Sequence, residues 1–190
     1  MDKIERFRYL VEKEELHLKV NSDTLSMSPF ICQGDYIFLH RYDSIPQPGD
    51  IILVSFREET YLVCHRVVYN GHIIYTKGDN NYNKDYSADG YHDISNSYIA
   101  TVNGVLRGGC YIDLTTKRSE FINKLIARIS VNCVPKRNLY LTELNFSLCR
   151  IAMILLQFFY KKQKYSMDEV EHISSNTPFK KITNSHRINF

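Results

Sequence analysis

The sequence predicts a mainly β protein: a compact domain of short antiparallel strands, with an amphipathic helix before it and a helical segment after it. Short runs rich in β-branched and aromatic residues recur between residues 36 and 114, and turn residues separate them. The flanking segments show helical periodicity instead. The 14 tyrosines and 10 phenylalanines also favour strands over bundled helices.

The first predicted element is a helix. Its apolar residues recur at helical spacing between charged ones: Ile4, Phe7, Leu10 and Val11. This periodicity predicts a helix from residue 3 to about residue 15, and we assign residues 1–20 to this N-terminal unit. Because the segment has no uninterrupted apolar stretch, neither a secretory signal nor an N-terminal membrane anchor is predicted.

The predicted strands fall in a unit that covers residues 21–116. Six runs have strand composition: Tyr36–His40, Ile51–Phe56, Tyr61–Val68, His72–Thr76, Tyr98–Leu106 and Cys110–Leu114. Asn70-Gly71 joins the third run to the fourth and is a strong hairpin signal, because both residues tolerate positive φ. A polar loop from Lys77 to Ser97 separates the fourth run from the fifth.

After residue 116 the pattern becomes helical. An apolar stripe predicts a first helix: Phe121, Leu125, Ile126 and Ile129. A second helix is predicted over residues 139–161, so that the C-terminal helices together cover residues 117–163. Residues 164–190 are polar and are predicted to form a mobile tail.

Composition excludes several classes of partner and site. The net charge is only +3, and the basic residues gather on no predicted face, so a nucleic-acid partner is not predicted. Five widely separated cysteines without a CxxC pair argue against a disulfide framework and against a zinc site. They indicate reduced thiols in a cytoplasmic protein.

One apolar run raises the question of membrane contact. The ten residues Ile151–Tyr160 are too few to span a bilayer, which takes about 20 apolar residues. The run leaves two alternatives open, a buried helix and a helix in the membrane interface. The predicted location is therefore the cytoplasm, with peripheral contact to the inner membrane through residues 144–162 as an open alternative.

Three segments carry residue types that suit a hydrolytic site. Ser26 lies in a predicted loop pinned by Pro29, and His65 lies on a predicted strand. Asp79 and Asp85 follow in the polar loop. A serine hydroxyl needs a base near neutral pH, a histidine can take and return that proton, and a carboxylate can fix the ring's tautomer. With seven histidines in the chain, residue types alone do not separate such a trio from chance.

The order of six short motifs resembles the signal peptidase I family. The motifs are Ser-Met-x-Pro, Gly-Asp, Pro-Gly-Asp-Ile, His-Arg-Val, Thr-Lys-Gly-Asp-Asn-Asn and a later Asp, within residues 20–110. The likeness is to the branch of archaea, the endoplasmic reticulum and some sporulating bacteria, which has histidine where typical bacterial enzymes and LexA-like repressors have lysine. Tyr98–Leu114 also resembles soluble members of the signal-peptidase and LexA clan, some of which accompany peptide-modification gene clusters in gut bacteria.

The resemblance implies a signal-peptidase/LexA-like β-domain and a serine endopeptidase. In it Ser26 would be the nucleophile and His65 the general base. Asp85 or Asp79 would orient the ring, and both match essential carboxylates of the family. The Thr24 hydroxyl and the Ser26 backbone N–H would bind the oxyanion. The substrate would be a peptide or precursor protein with a small residue before the cut, added as a strand to a sheet edge; no cofactor or metal is implied.

Each of these residues also has a structural interpretation. Ser26 could cap a turn, His65 could be a satisfied core histidine, and Asp79 could bond the amides of its own turn. Arg66 is interpreted as an ion-pair partner or an exposed strand residue. Lys77 is interpreted as part of the turn motif rather than as the base.

The sequence departs from the family and admits two rival functions. Leu25 precedes the candidate nucleophile where the family has glycine or another small residue. One rival is a non-catalytic relative that binds a leader peptide or a modifying enzyme. The other is a LexA-like regulator that cuts itself, which is disfavoured because the segment before Ser26 is too short for a helix-turn-helix module.

Overall fold

The structure is a computed structural model that describes residues 3–13, 16–21, 25–56, 61–71, 74–85, 97–132 and 139–165. These residues form three helices and eight strands. The helices are α1 (Lys3–Lys13), α2 (Lys117–Asn132) and α3 (Leu139–Gln157). The strands are β1 (Leu16–Lys19), β2 (Tyr36–His40), β3 (Ile51–Phe56), β4 (Tyr61–Asn70), β5 (Ile74–Lys77), β6 (Tyr98–Arg107), β7 (Cys110–Asp113) and β8 (Lys162–Lys164).

The strands form one antiparallel sheet in the order β1-β2-β6-β3-β4-β5, with β7 beside β6 and β8 beside β7. The long strand β6 holds the sheet together because it pairs with β2, β3 and β7. The predicted fold class, a mainly β domain with flanking helices, is thus confirmed.

The core follows the two-residue period of the strands. In β2, Ile37 and Leu39 are fully buried while their neighbours are only half-buried. In β3, four consecutive residues from Ile51 to Val54 are buried, so this central strand is covered on both faces. Phe7 and Val11 of α1 join the larger apolar cluster, and α2 packs against β4.

Two strands were not predicted. The sequence assigned residues 1–20 to a helical unit, but α1 ends at Lys13 and Leu16–Lys19 form β1 opposite β2. This strand has only four residues, in which the buried Leu16 and Leu18 alternate with the less buried His17 and Lys19. The exposed, polar β8 is a strand only because its backbone pairs with β7.

Some predictions concern parts of the chain beyond the described ranges. Residues 86–96 of the polar loop and residues 72–73 of the predicted hairpin lie outside the described residues. The predicted tail also lies outside them from residue 166 onward. Among the helices that are described, none is both long enough and apolar enough to cross a bilayer.

Candidate active site

Strand β4 places the side chains of His65 and Arg66 on opposite sides of the sheet. Consecutive strand residues point to opposite faces, so His65 and Arg66 enter different environments. Both remain buried, at 6% and 0% relative exposure. Each contacts one aspartate of the loop that follows β5, His65 contacting Asp85 and Arg66 contacting Asp79. The site is therefore built where β4 meets that loop.

Ser26 lies in a tight turn fixed to the core by its apolar neighbours. Met27, Phe30 and Ile31 are buried, and the Phe30 and Ile31 N–H groups both donate to the Met27 carbonyl. The Arg107 guanidinium donates to the carbonyls of Pro29 and Phe30 and pairs with the Asp35 carboxylate. The turn that carries Ser26 is thus held from several sides.

The Gly78–Asn80 turn supports the Ser26 backbone from the other side. The Asn80 N–H donates to the Ser26 carbonyl over 2.7 Å. A Cβ at residue 78 would lie 2.7 Å from the same carbonyl oxygen, closer than real Cβ contacts allow. Glycine at this position therefore lets the two turns approach each other.

Three side chains form a continuous hydrogen-bond chain. His65 Nε2 lies 3.0 Å from Ser26 Oγ, and His65 Nδ1 lies 2.6 Å from Asp85 Oδ2. An ionised carboxylate can only accept, so the Nδ1–H of His65 donates to Asp85. In the neutral ring Nε2 then accepts, and the Ser26 hydroxyl is its donor. The structure thus brings together Ser26, His65 and Asp85.

The surroundings of Asp85 favour its ionised form. Burial raises the pKa of Asp85, but the hydrogen bond and charge of His65, the Thr76 hydroxyl and nearby Lys77 lower it by more, so that it lies below the ordinary 3.8. Thr76 donates to the same Oδ2 atom over 2.7 Å, and the Asp85 N–H donates to the Thr76 carbonyl. Thr76 therefore fixes both the backbone and the side chain of Asp85.

Asp79 pairs with Arg66 and not with His65. Its two carboxylate oxygens each accept from Arg66 at 2.8 Å, in a bidentate pair. The same guanidinium donates to the Gly49 carbonyl and to Asn123 Oδ1. Burial lowers the pKa of Arg66, but the Asp79 carboxylate raises it by more, so the guanidinium keeps its charge. Of the two candidate aspartates, the structure brings only Asp85 to the histidine ring.

The buried network around Arg66 was largely missed by sequence reasoning. Arg66 is an ion-pair partner as predicted, but it is fully buried rather than an exposed strand residue. Tyr160 donates to Asn123 Oδ1 over 2.5 Å and extends the network into the C-terminal segment. Lys77 is also fully buried and donates to Ser130 Oγ of α2 over 2.8 Å. These partners come from distant parts of the chain, and no local motif marks them.

Leu25 and Thr24 directly precede the candidate nucleophile Ser26. The Leu25 side chain is 62% exposed, and Ser26 still lies within hydrogen-bond distance of His65. The branched residue therefore does not prevent this contact. Thr24, predicted to support the oxyanion, lies outside the described residues.

The chain has a detectable relative among characterised proteins. It is 30% identical over 105 residues to the signal peptidase complex catalytic subunit SEC11 of Lodderomyces elongisporus. The aligned part is 50% of this chain and 63% of that protein, so the chain spans less than two thirds of the relative's length. No family model matches the chain, and no solved structure matches it significantly. The similarity supports a signal-peptidase-like relationship.

Proposed function

We propose that this protein is a serine endopeptidase of the signal peptidase type, which cleaves a peptide or precursor protein through an acyl-enzyme. The observation that carries the proposal is the hydrogen-bond chain from Ser26 Oγ through His65 to Asp85, with distances of 3.0 and 2.6 Å. The similarity to a signal peptidase catalytic subunit supports the same activity. That relative is named as a subunit of a complex, and we extend the proposal to action within a complex.

The first half-reaction forms the acyl-enzyme. Ser26 Oγ attacks the carbonyl carbon of the scissile bond while its proton passes to His65 Nε2. The tetrahedral intermediate collapses, the C–N bond breaks, and His65 returns the proton to the leaving amine. In the second half-reaction water gives a proton to His65 and attacks the ester carbon. The carboxylic acid leaves, and Ser26 regains its proton.

Asp85 and the oxyanion donors stabilise the charges that develop. The Asp85 carboxylate faces Nδ1 and would stabilise the imidazolium formed during attack. The developing oxyanion would be bound by the Ser26 backbone N–H and the Thr24 hydroxyl. Removal of one such donor typically costs about 10²–10³ in rate.

Asp79 acts as a positioning residue in this proposal. Its pairing with Arg66 holds the loop that begins at Gly78, and the next residue, Asn80, donates to the Ser26 carbonyl. The Arg66–Asp79 pair would thereby keep the nucleophile at its distance from His65. It would do so without contact with the substrate.

An extended substrate has a suitable edge beside His65. β5 pairs with β4 only between Arg66 and Asn70. Among the described residues, the half of β4 from Tyr61 to His65 has a strand partner only on its β3 side. A substrate added along this edge would run past His65 toward Ser26, with backbone hydrogen bonds supplying affinity.

A matched pair of serine variants tests the proposal. The native chain, Ser26→Ala and Ser28→Ala are incubated with a mixture of peptides of diverse sequence, and products are identified by mass spectrometry. Ser28 lies in the same turn, so its variant controls for changes in the loop. We expect a loss of about 10⁶-fold in Ser26→Ala, the size of loss that follows removal of a triad serine, and near-native cleavage in Ser28→Ala.

Other outcomes identify the rival functions. Full cleavage by Ser26→Ala would refute the assignment. A native chain that binds peptides without cutting them would be a peptide-docking relative. Fragments of the chain itself, formed by the native protein but not by Ser26→Ala, would indicate a self-cleaving regulator.

A further inference from the structure

Helix α3 carries an exposed apolar stripe, defined here as Leu144, Leu148, Ile151 and Leu155. Their side chains are 47–58% exposed. They are spaced by four, three and four residues, so they lie within an arc of about 60° on the helix surface. The opposite side of α3 faces the protein, where Phe146 and Met153 are buried. The predicted alternative of a buried helix therefore holds for only one side of this segment.

Exposed aromatic and basic residues follow the end of the helix in the chain. Phe158 and Phe159 are 72% and 56% exposed. They are followed by an exposed lysine cluster, defined as Lys161, Lys162 and Lys164. The Lys162 ammonium lies 5.8 Å from the centre of the Phe158 ring, so the cluster and the aromatic pair adjoin.

We propose that the stripe, the aromatic pair and the lysine cluster form one surface that binds an anionic lipid bilayer. A helix in the interface buries Leu, Ile and Phe at the level of the acyl chains while its lysines reach the lipid phosphates. Residues 139–165 contain four basic side chains and one acidic side chain, a net charge of +3. A second copy that docked through the same segment would offer only Glu143 to the three lysines, whereas anionic headgroups complement all of them.

The bound surface would hold the candidate active site close to the membrane. Phe146, on the protein side of α3, stacks on Tyr82 with ring centres 4.0 Å apart. Tyr82 belongs to the loop between Asp79 and Asp85. That loop would therefore lie about 10 Å, one helix diameter, above the lipid-bound stripe. Membrane binding itself does not depend on the peptidase chemistry.

Co-sedimentation with lipid vesicles tests the proposal on the full chain. Vesicles of phosphatidylcholine with phosphatidylglycerol are compared with vesicles of phosphatidylcholine alone. We expect clear binding to the anionic vesicles and much weaker binding to the neutral ones. The three lysines of the cluster are changed to glutamine one after another. Each change should weaken binding to the anionic vesicles about fivefold.

A second variant removes apolar contact without touching charge. Leu148→Gln with Leu155→Gln should reduce binding at least tenfold, because two aliphatic side chains no longer enter the bilayer. Ile45→Gln changes a 64% exposed residue that belongs to neither the stripe nor the lysine cluster, and it should bind as the native chain does. Unfolding curves show that the variants are folded, since all these positions are exposed. Ser26→Ala should bind vesicles normally, which separates this proposal from the proposed function.

Three results would overturn the proposal. One is a native chain that stays in solution with anionic vesicles, and another is a Leu148/Leu155 variant that binds as tightly as the native chain. The third is a native dimer by light scattering that Leu148→Gln converts to a monomer without any vesicle binding. In that last case a second copy covers the stripe.

Discussion

Two neighbouring residues of β4 each pair with an aspartate, and the two pairs differ in character. The His65–Asp85 pair has side-chain exposures of 8% and 17%, and one ring nitrogen still faces the Ser26 hydroxyl. The Arg66–Asp79 pair has exposures of 0% and 4%. Every described hydrogen bond of Arg66 goes to a protein acceptor: two to Asp79, one to Gly49 and one to Asn123.

The His65–Asp85 pair can take part in proton transfer, whereas the Arg66–Asp79 pair can only stabilise the structure. A guanidinium keeps its proton in proteins, and a fully buried one has no access to a substrate. An imidazole can accept and release a proton near neutral pH. We infer that the strand uses one face for proton transfer and the other to fix the loop that carries both aspartates.

The same substitution at the two aspartates should separate these roles. Asp85→Asn removes the charge behind His65 and allows the wrong ring tautomer, so kcat should fall by about 10⁴-fold. The cost in unfolding free energy should be small, about 1–2 kcal/mol, since the hydrogen bonds from His65 and Thr76 to a partly exposed group are weakened. Peptide cleavage and urea unfolding of the same sample measure both effects. A variant with near-native kcat would remove Asp85 from the mechanism.

Asp79→Asn should show the opposite balance. It leaves the Arg66 charge buried without its counter-ion, which typically costs about 3–5 kcal/mol of unfolding free energy. Activity per folded molecule should fall less than in Asp85→Asn. Replacing both partners, Arg66→Met with Asp79→Leu, should destabilise less than Asp79→Asn alone, because neither charge of the pair remains. Urea unfolding of the native chain, Asp79→Asn and the double variant measures these free energies. Equal stability of Asp79→Asn and the native chain would contradict the structural role of the Arg66–Asp79 pair.

The smallest effect is expected in the pH dependence of stability. Because the folded-state pKa of Asp85 is lowered, its ionisation stabilises the folded protein above the unfolded pKa near 3.8. That contribution is lost as the pH falls through the lower, folded-state value. Asp85→Asn should therefore reduce the slope of unfolding free energy against pH in the acid range below 3.8. An unchanged acid slope would show that Asp85 is not the group that titrates there.

Local features of the structure could be predicted from the sequence better than long-range contacts could. β2 and β3 have the predicted bounds because their apolar composition and flanking turns are local signals. The motif order also pointed to Ser26, His65 and Asp85, which lie together in the structure. In these cases the information lies within a few consecutive residues.

The partners of Arg66 could not be predicted in the same way. Asn123 lies 57 positions from Arg66, and Tyr160 lies a further 37 positions beyond Asn123. Whether an arginine on a strand is exposed depends on what covers that face, and here α2 does so. The burial of Arg66 is thus a result of helix packing on the sheet, which local periodicity does not encode.

The central claim, that His65 activates Ser26, is tested most directly by covalent labelling with a fluorophosphonate. In the reaction Ser26 Oγ bonds to phosphorus, fluoride leaves, and His65 takes the hydroxyl proton. We predict a single adduct that peptide mapping locates on Ser26 in the native chain, and labelling slower by several orders of magnitude in His65→Ala. An adduct on another residue, or equal labelling rates in both proteins, would contradict the account.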